Sequence, residues 1–320
     1  MFAAIKPGWS KPATILFASE LPVNEKAFAV ALAEAAKFGS DLIIFHAYDS
    51  SDAKAPQGLG ISCCDYARAR AEKQCFEPLA QRASNLGLHC KIVVRPGAAA
   101  EQILAYLQEQ KIDQVIMGAH APGPIGKLLV SATTEAVLRN ASVPVNVVGP
   151  EVAENSYRNC AIYTILCSVD AHESSRVVAE FAAELAAQFN AHLILQYVLP
   201  SQECDEVLAG RTIGEIAAEL PSLVPPRLRN KINLRIRAVV GDRTEELLYQ
   251  SRSQRANLIV LGAHGASRFA AITRAGVVYK ILAYAHCPVI TLSPVVLAEC
   301  GVGTIEAQLR PFEACLAGVF

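Results

Sequence analysis

No stretch of the 320 residues approaches 18 consecutive apolar residues free of charge, so nothing reads as a membrane-spanning helix. The N-terminus lacks a basic region followed by a long apolar run, and a cytoplasmic protein without a secretory signal is expected. Ten cysteines are present but no Cys-x2-Cys pair. That pattern argues against a disulfide framework and fits reduced, mostly buried thiols. Cys63, Cys64 and Cys75 cluster without metal-ligand spacing or a neighbouring histidine, so no metal is expected there. A net charge of −1 supplies no electrostatic footprint for nucleic acid or an anionic membrane, and neither is an expected partner. GxGxxG, GxxxxGK[ST], GxSxG and HExxH spacings are all missing. No catalytic residue is therefore proposed, and an enzyme is not expected.

What the chain does contain is a repeat. Ile116-Met-Gly-Ala-His-Ala121 ends one apolar run and Ile259-Val-Leu-Gly-Ala-His-Gly265 ends another, with Gly118 and Gly262 144 residues apart. Gly97 and Gly241 keep the same spacing, as do Val143-Pro-Val145 and Cys287-Pro-Val289. Ile15-Leu16 and Ile165-Leu166 are 150 apart, so copy one carries about six extra residues between its first and third strands. Two domains are expected, 1–150 and 151–320, joined by the polar segment 150–159.

Short Val/Ile/Leu runs at 14–18, 42–47, 90–94, 115–118 and 145–148 read as buried strands, and copy two repeats them at 165–169, 193–198, 234–240, 258–262 and 289–292. Amphipathic patterns lie between them; Val177, Phe181 and Leu185 recur at helical spacing after Ser174. Continuous apolar strands alternating with helices indicate an α/β protein of two tandem doubly wound, five-stranded parallel-sheet domains. Such sheets bind ligands beyond the C-terminal strand ends, where Gly262 sits. Gly210, Gly214, Pro221, Pro225 and Pro226 predict an irregular segment over 200–232, and Ile305, Leu309, Phe312 and Leu316 suggest an extra amphipathic helix in the tail.

At these residues the chain resembles the universal stress protein family, in tandem form. That family's loop reads Gly-x2-Gly-x9-Gly-Ser/Thr before a helix; copy two has Gly262-Ala-His-Gly265, nine residues, then Ala275-Gly276. Its opening strand Ile165-Leu-Cys-Ser-Val-Asp170 matches the family's Ile-Leu-x-x-x-Asp, whereas copy one has Ile15-Leu-Phe-Ala-Ser-Glu20. The copy-one loop departs further, with Ala121, Ser131 and Ala132.

The resemblance implies a stress-response protein that binds an adenine nucleotide such as ATP, with Mg²⁺, weakly and only in the second domain. The phosphates would meet Leu261, Gly262, Gly265, Ala275, Gly276 and Val277; Asp170 would meet the ribose or the metal, and the Val198 backbone the adenine. Read from the residues alone, Asp170 equally caps a turn, Val198 is core, and the loops are ordinary strand-to-helix turns. Arg268 and Arg274 could add charge to a polyphosphate, and His120 and His264 are expected to stabilise their turns. The resemblance also implies an internal pseudo-dimer in which the last strands, 144–148 and 288–292, pair antiparallel. The alternative function is a nucleotide-free scaffold engaging an unknown protein partner, and homo-oligomers are compatible with either.

Overall fold

The computed structural model describes residues 5–48, 63–119, 131–153, 161–201, 212–262 and 276–302. Copy one runs through α1 (Pro7–Ser10), β1 (Thr14–Ala18), α2 (Glu25–Phe38), β2 (Asp41–Tyr48), α3 (Cys63–Asn85), β3 (Cys90–Pro96), α4 (Ala99–Glu109), β4 (Gln114–Gly118), α5 (Ala132–Asn140) and β5 (Val145–Val148). Copy two follows with β6 (Thr164–Val169), α6 (Ser174–Phe189), β7 (His192–Leu199), α7 (Ile213–Glu219), α8 (Pro226–Arg229), β8 (Asn233–Val240), α9 (Arg243–Ser253), β9 (Leu258–Gly262), α10 (Val277–Tyr284), β10 (Val289–Leu292) and α11 (Pro294–Glu299).

The ten strands of the described residues form one sheet in the order β3-β2-β1-β4-β5-β10-β9-β6-β7-β8. Pairing is parallel within each copy and antiparallel where β5 meets β10. That seam aligns Val147 with Val289, Asn146 with Ile290 and Val145 with Thr291. Asn146 and Ile290 occupy the same position in their copies, so a pseudo-two-fold axis runs between them. Phe38 and Phe189, each the last residue of its first long helix, meet edge to face with centroids 5.3 Å apart on the same axis. The expected internal pseudo-dimer is thus the observed architecture, with each last strand covering the other's edge.

Local chemistry accounts for the helix limits. Asn24 accepts a hydrogen bond from the Ala27 N–H at the start of α2, which ends at Gly39 in the left-handed region (φ 67°). Asn190 takes the equivalent left-handed position after α6 (φ 53°). Within the segment expected to be irregular, residues 212–229 form helices. Thr212 and Glu215 make a capping box on α7, a 3-10 turn spans Leu220–Leu223, and α8 opens on Pro226. Proline breaks a helix interior but is well placed in a first turn, so Pro221 and Pro226 start elements here.

One apolar core is shared by both copies on one sheet face, joining Leu138, Val145 and Val147 to Ile281, Leu282 and Val289. The opposite face carries a separate core under α2 and α3 and another under α6. Copy boundaries are not respected at the termini. Ile5 and the buried Trp9 belong to the copy-two core, where α1 lies against α6, while the Ser293 hydroxyl donates to the Ala141 carbonyl of copy one. At the matching site a Cβ on Gly149 would meet the Leu282 carbonyl oxygen at 2.3 Å, so only glycine allows this crossing.

One polar cluster interrupts the seam. Buried Glu34 of α2 accepts from Asn146 Nδ2 (2.8 Å) and is hydrogen-bonded to Gln114. Burial pushes its carboxyl up to about 7, against the lowering effect of both hydrogen bonds.

Candidate functional site

In copy two the chain moves from β6 to β7 to β8 in one direction, then crosses back to place β9 on the other side of β6. Strand order therefore reverses between β6 and β9, and helices following these strands depart to opposite faces. Asp170 leaves the end of β6 and Gly262 ends β9, so the reversal brings these two sequence-predicted residues to one crevice. Because α10 connects β9 to the parallel β10, its N-terminus must lie at this same end of the sheet. Gly276 is the cap of α10, in extended conformation (φ −74°, ψ 161°), with no side-chain hydrogen bond to the helix. Asn24, Ser131, Thr212, Asp242 and Ser293 cap their helices with a side chain, whereas Ala98 before α4 and Glu173 before α6, like Gly276, do not. Gly276 has no side chain to offer the first amides of α10, which lie at the positive end of the helix dipole.

Asp170 is closely held. Its Oδ1 accepts from the His172 N–H (2.9 Å) and the Ser175 hydroxyl (2.7 Å), while its own N–H donates to Ser175 Oγ (2.8 Å). His172 Nδ1 in turn accepts from the Ser174 N–H (3.2 Å). The motif orders the turn into α6, whose first residue is Ser174. Leu261 is buried in the shared core and Val277 packs on it; Val198 is buried in β7 opposite Val239. Gly265, Ala275, Arg268, Arg274, His120, His264 and Ala121 lie outside the described residues, as do segment 202–211 and the C-terminal helix expected at Ile305 to Leu316.

Copy one presents the matching crevice between β1 and β4, of which the described residues line a small part. A cavity of about 80 Å³ lies there, lined by Glu20, Asn24, Phe45, Met117, Gly118 and Thr134 among others. Sites for drug-sized ligands run from roughly 300 Å³ upward. Asn24, the cap of α2, lies directly against the end of β4: a Cβ on Gly118 would sit 2.3 Å from its Nδ2. Ser131 spends its hydroxyl on the Thr134 N–H (3.1 Å) at the start of α5. Beside this crevice His46 approaches the Ser19 carbonyl through Nδ1 (2.8 Å) and Glu72 through Nε2 (3.2 Å), tying β2 to α3.

Sequence reasoning missed Asn24, Ser175 and His46. Asn24 was findable as an asparagine immediately before an acidic first turn, the signature of a cap. His46 was not, because its partners lie 26 and 27 residues away. Among the described cysteines, Cys167, Cys287 and Cys300 are buried. Burial pushes the Cys287 thiol up to about 12, so it is packing rather than nucleophile. No group of histidine, cysteine and acidic side chains able to hold a metal occurs among the described residues, and no described helix is long and apolar enough to cross a membrane.

A duplicated doubly wound α/β protein with strand-end crevices is the class this geometry defines. The universal stress protein family model matches residues 13–149 and 162–293, and the chain belongs to that family. It is 29% identical over 122 residues to a universal stress protein of Thermus aquaticus, covering 38% of this chain and 86% of that protein. It is 37% identical over 59 residues to one from Synechocystis, covering 18% of this chain and only 21% of that protein. The crystal structure of a universal stress protein from Archaeoglobus fulgidus superimposes with a TM-score of 0.65 at 16% identity, covering 88% of this chain and 98% of that one. That likeness is one of fold.

Proposed function

We propose that this chain is a stress-response protein whose second copy binds an adenine nucleotide weakly, the first copy serving as its structural partner. The observation that carries the reading is the N-terminus of α10, which opens on Gly276 at the crevice where Asp170 and Gly262 converge. Amides and dipole there suit a phosphate, and a glycine at the strand end lets a ligand approach the backbone. Asp170 would face the ribose or a Mg²⁺ ion carried with the nucleotide. Gly276 offers its N–H in place of the family's hydroxyl, and one lost neutral hydrogen bond weakens binding by about tenfold without abolishing it.

Titration calorimetry of ATP and AMP, each with Mg²⁺, into the full chain tests this directly. Binding that vanishes in Gly265→Val and persists in Ser131→Ala supports the assignment to copy two; equal loss in both folded variants rejects it. Mass spectrometry of a denatured extract would reveal any nucleotide carried through purification.

A second reading, a nucleotide-free interaction scaffold, is favoured by one observation: Asp170 Oδ1 is already committed to two donors in its own turn. Absence of binding to ATP and AMP at millimolar concentration in the folded protein would select it.

A further inference from the structure

Among the described residues, the ten-stranded sheet ends at two edges with no further strand paired to them, β3 and β8. A groove of about 670 Å³ runs along β3. Its lining mixes neighbours of opposite sheet faces: Ile92 packs with the core under α3, Val93 with the core under α4. Residues from both faces can line one groove only if it follows the strand's edge, with α3 as one wall and α4 as the other.

The backbone polarity of that edge can be assigned. The Gly97 N–H donates to the Tyr48 carbonyl and the His89 carbonyl accepts from the Leu42 N–H, so odd-numbered residues of this strand direct their polar groups to β2. Cys90, Ile92, Val94 and Pro96 therefore present theirs to the outer edge, where Ile92 and Val94 line the groove. Pro96 has no N–H to offer, which ends the usable edge. Three donors and four acceptors remain, the template onto which another strand adds.

Charge decides what fits. Arg70 and Lys73 rise from the α3 wall and Lys91 and Arg95 from β3, against Glu77 on α3. Arg95 is held by Glu109 and stacks on Tyr106. The remaining cations, Arg70, Lys73 and Lys91, outnumber Glu77. A second copy is a poor occupant, because β3 paired antiparallel with β3 about Val93 would set Lys91 against Arg95 on both sides of the axis, and β8 brings Arg235 and Arg237. We propose that the groove along β3 takes an extended acidic segment of a partner protein by strand addition. Main-chain hydrogen bonds hold it, and carboxylates meeting Arg70, Lys73 and Lys91 select it.

The test is fluorescence anisotropy with the full chain and a labelled peptide, acetyl-Thr-Glu-Val-Glu-Val-Glu-Thr-amide. Three controls accompany it: the same peptide N-methylated at alternate residues on either register, its Lys-for-Glu counterpart, and a single-stranded oligothymidylate competitor. The acidic peptide should bind below about 1 mM, and methylation of the edge-facing register should weaken it by about tenfold or more. K73E/K91E should weaken it by a similar factor and R235E should not, with both variants checked for an unchanged melting temperature. The proposal is overturned if the peptides methylated on both registers bind as well as their parent, if the Lys-for-Glu peptide binds as tightly, by indifference to K73E/K91E, by equal competition from the oligothymidylate, or by no binding at about 1 mM.

Discussion

Three equivalent positions tell the two copies apart. Copy one places Glu34, Gln114 and Asn146 together beside the seam; copy two places Leu185, Leu258 and Ile290 in the corresponding places, all three in its core. The equivalence is structural as well as sequential. Glu34 and Leu185 each lie five residues before the left-handed cap of their helix, Gln114 and Leu258 each pair with the first isoleucine of the opening strand, and Asn146 and Ile290 face one another. The same fold thus solves one packing problem with a hydrogen-bonded cluster and with hydrocarbon. In a homodimer, residues on the axis must match themselves. Fusion into one chain removes that constraint, so Asn146 faces Ile290 rather than another asparagine. Asn146 Oδ1 is nevertheless buried with no partner among the described residues, which marks the polar solution as the costlier one.

The largest effect should come from cutting the comparison apart. Expressed as residues 1–153 and 161–320, each half exposes its last strand, and copy two also loses Ile5 and Trp9 from its core. Size-exclusion chromatography should show self-association or aggregation, and two well-behaved monomers with the full chain's melting temperature would refute the interlocked architecture.

Next in size is Trp9→Ala in the intact chain. It empties a large site in the copy-two core and should lower stability by about 3–5 kcal/mol, read from denaturant unfolding. Because Trp9 lies in sequence with copy one, destabilisation localised by hydrogen exchange to α6 would establish the crossing.

The polar cluster itself predicts a pH dependence. Glu34 has its folded value raised from 4.5 to about 7, so the folded state binds the extra proton. Its favourable contribution is complete below about pH 4.5 and is lost as pH rises through about 7, amounting to about 3 kcal/mol in all. Glu34→Gln should flatten stability across that window while keeping the cluster polar. The triple change E34L/Q114L/N146I, which copies the second half, should flatten it too, leaving a protein at least as stable as the parent at pH 8. An unchanged pH profile in Glu34→Gln would remove this carboxyl from the explanation.

The smallest effect concerns the loop. Ala275→Gly with Gly276→Ser returns the family's residues to copy two, and should strengthen ATP binding by about 5- to 30-fold, or roughly 1–2 kcal/mol. A folded double variant that binds no ATP at millimolar concentration would favour the scaffold.

Much of the fold was legible along the chain, because repetition at 144 residues and strand-length apolar runs are one-dimensional signals. β4 with β9 and β5 with β10 keep that spacing residue for residue, and α5 and α10 end in register at Asn140 and Tyr284. Segment 212–229 was misread because proline has one meaning inside a helix and another in its first turn, and only the hydrogen bonds around it distinguish them. The candidate site was legible only as a pair of strand ends. Gly262 and Asp170 could be named from spacing, yet the side chain that occupies the copy-one crevice, Asn24, reads in sequence as no more than a helix cap.

By itself the sequence determined duplication, strand and helix order, parallel sheets and the strand ends where a ligand would sit, since periodicity and spacing are properties of neighbours along the chain. Tertiary structure alone decided that the N-terminal Ile5 and Trp9 complete the other copy's core, that Glu34 meets a residue 112 positions away, and that Asn146 faces its own counterpart across the axis. Those facts depend on closing long loops, whose entropic cost grows only slowly with length, so separation in sequence leaves almost no trace of which distant groups will meet.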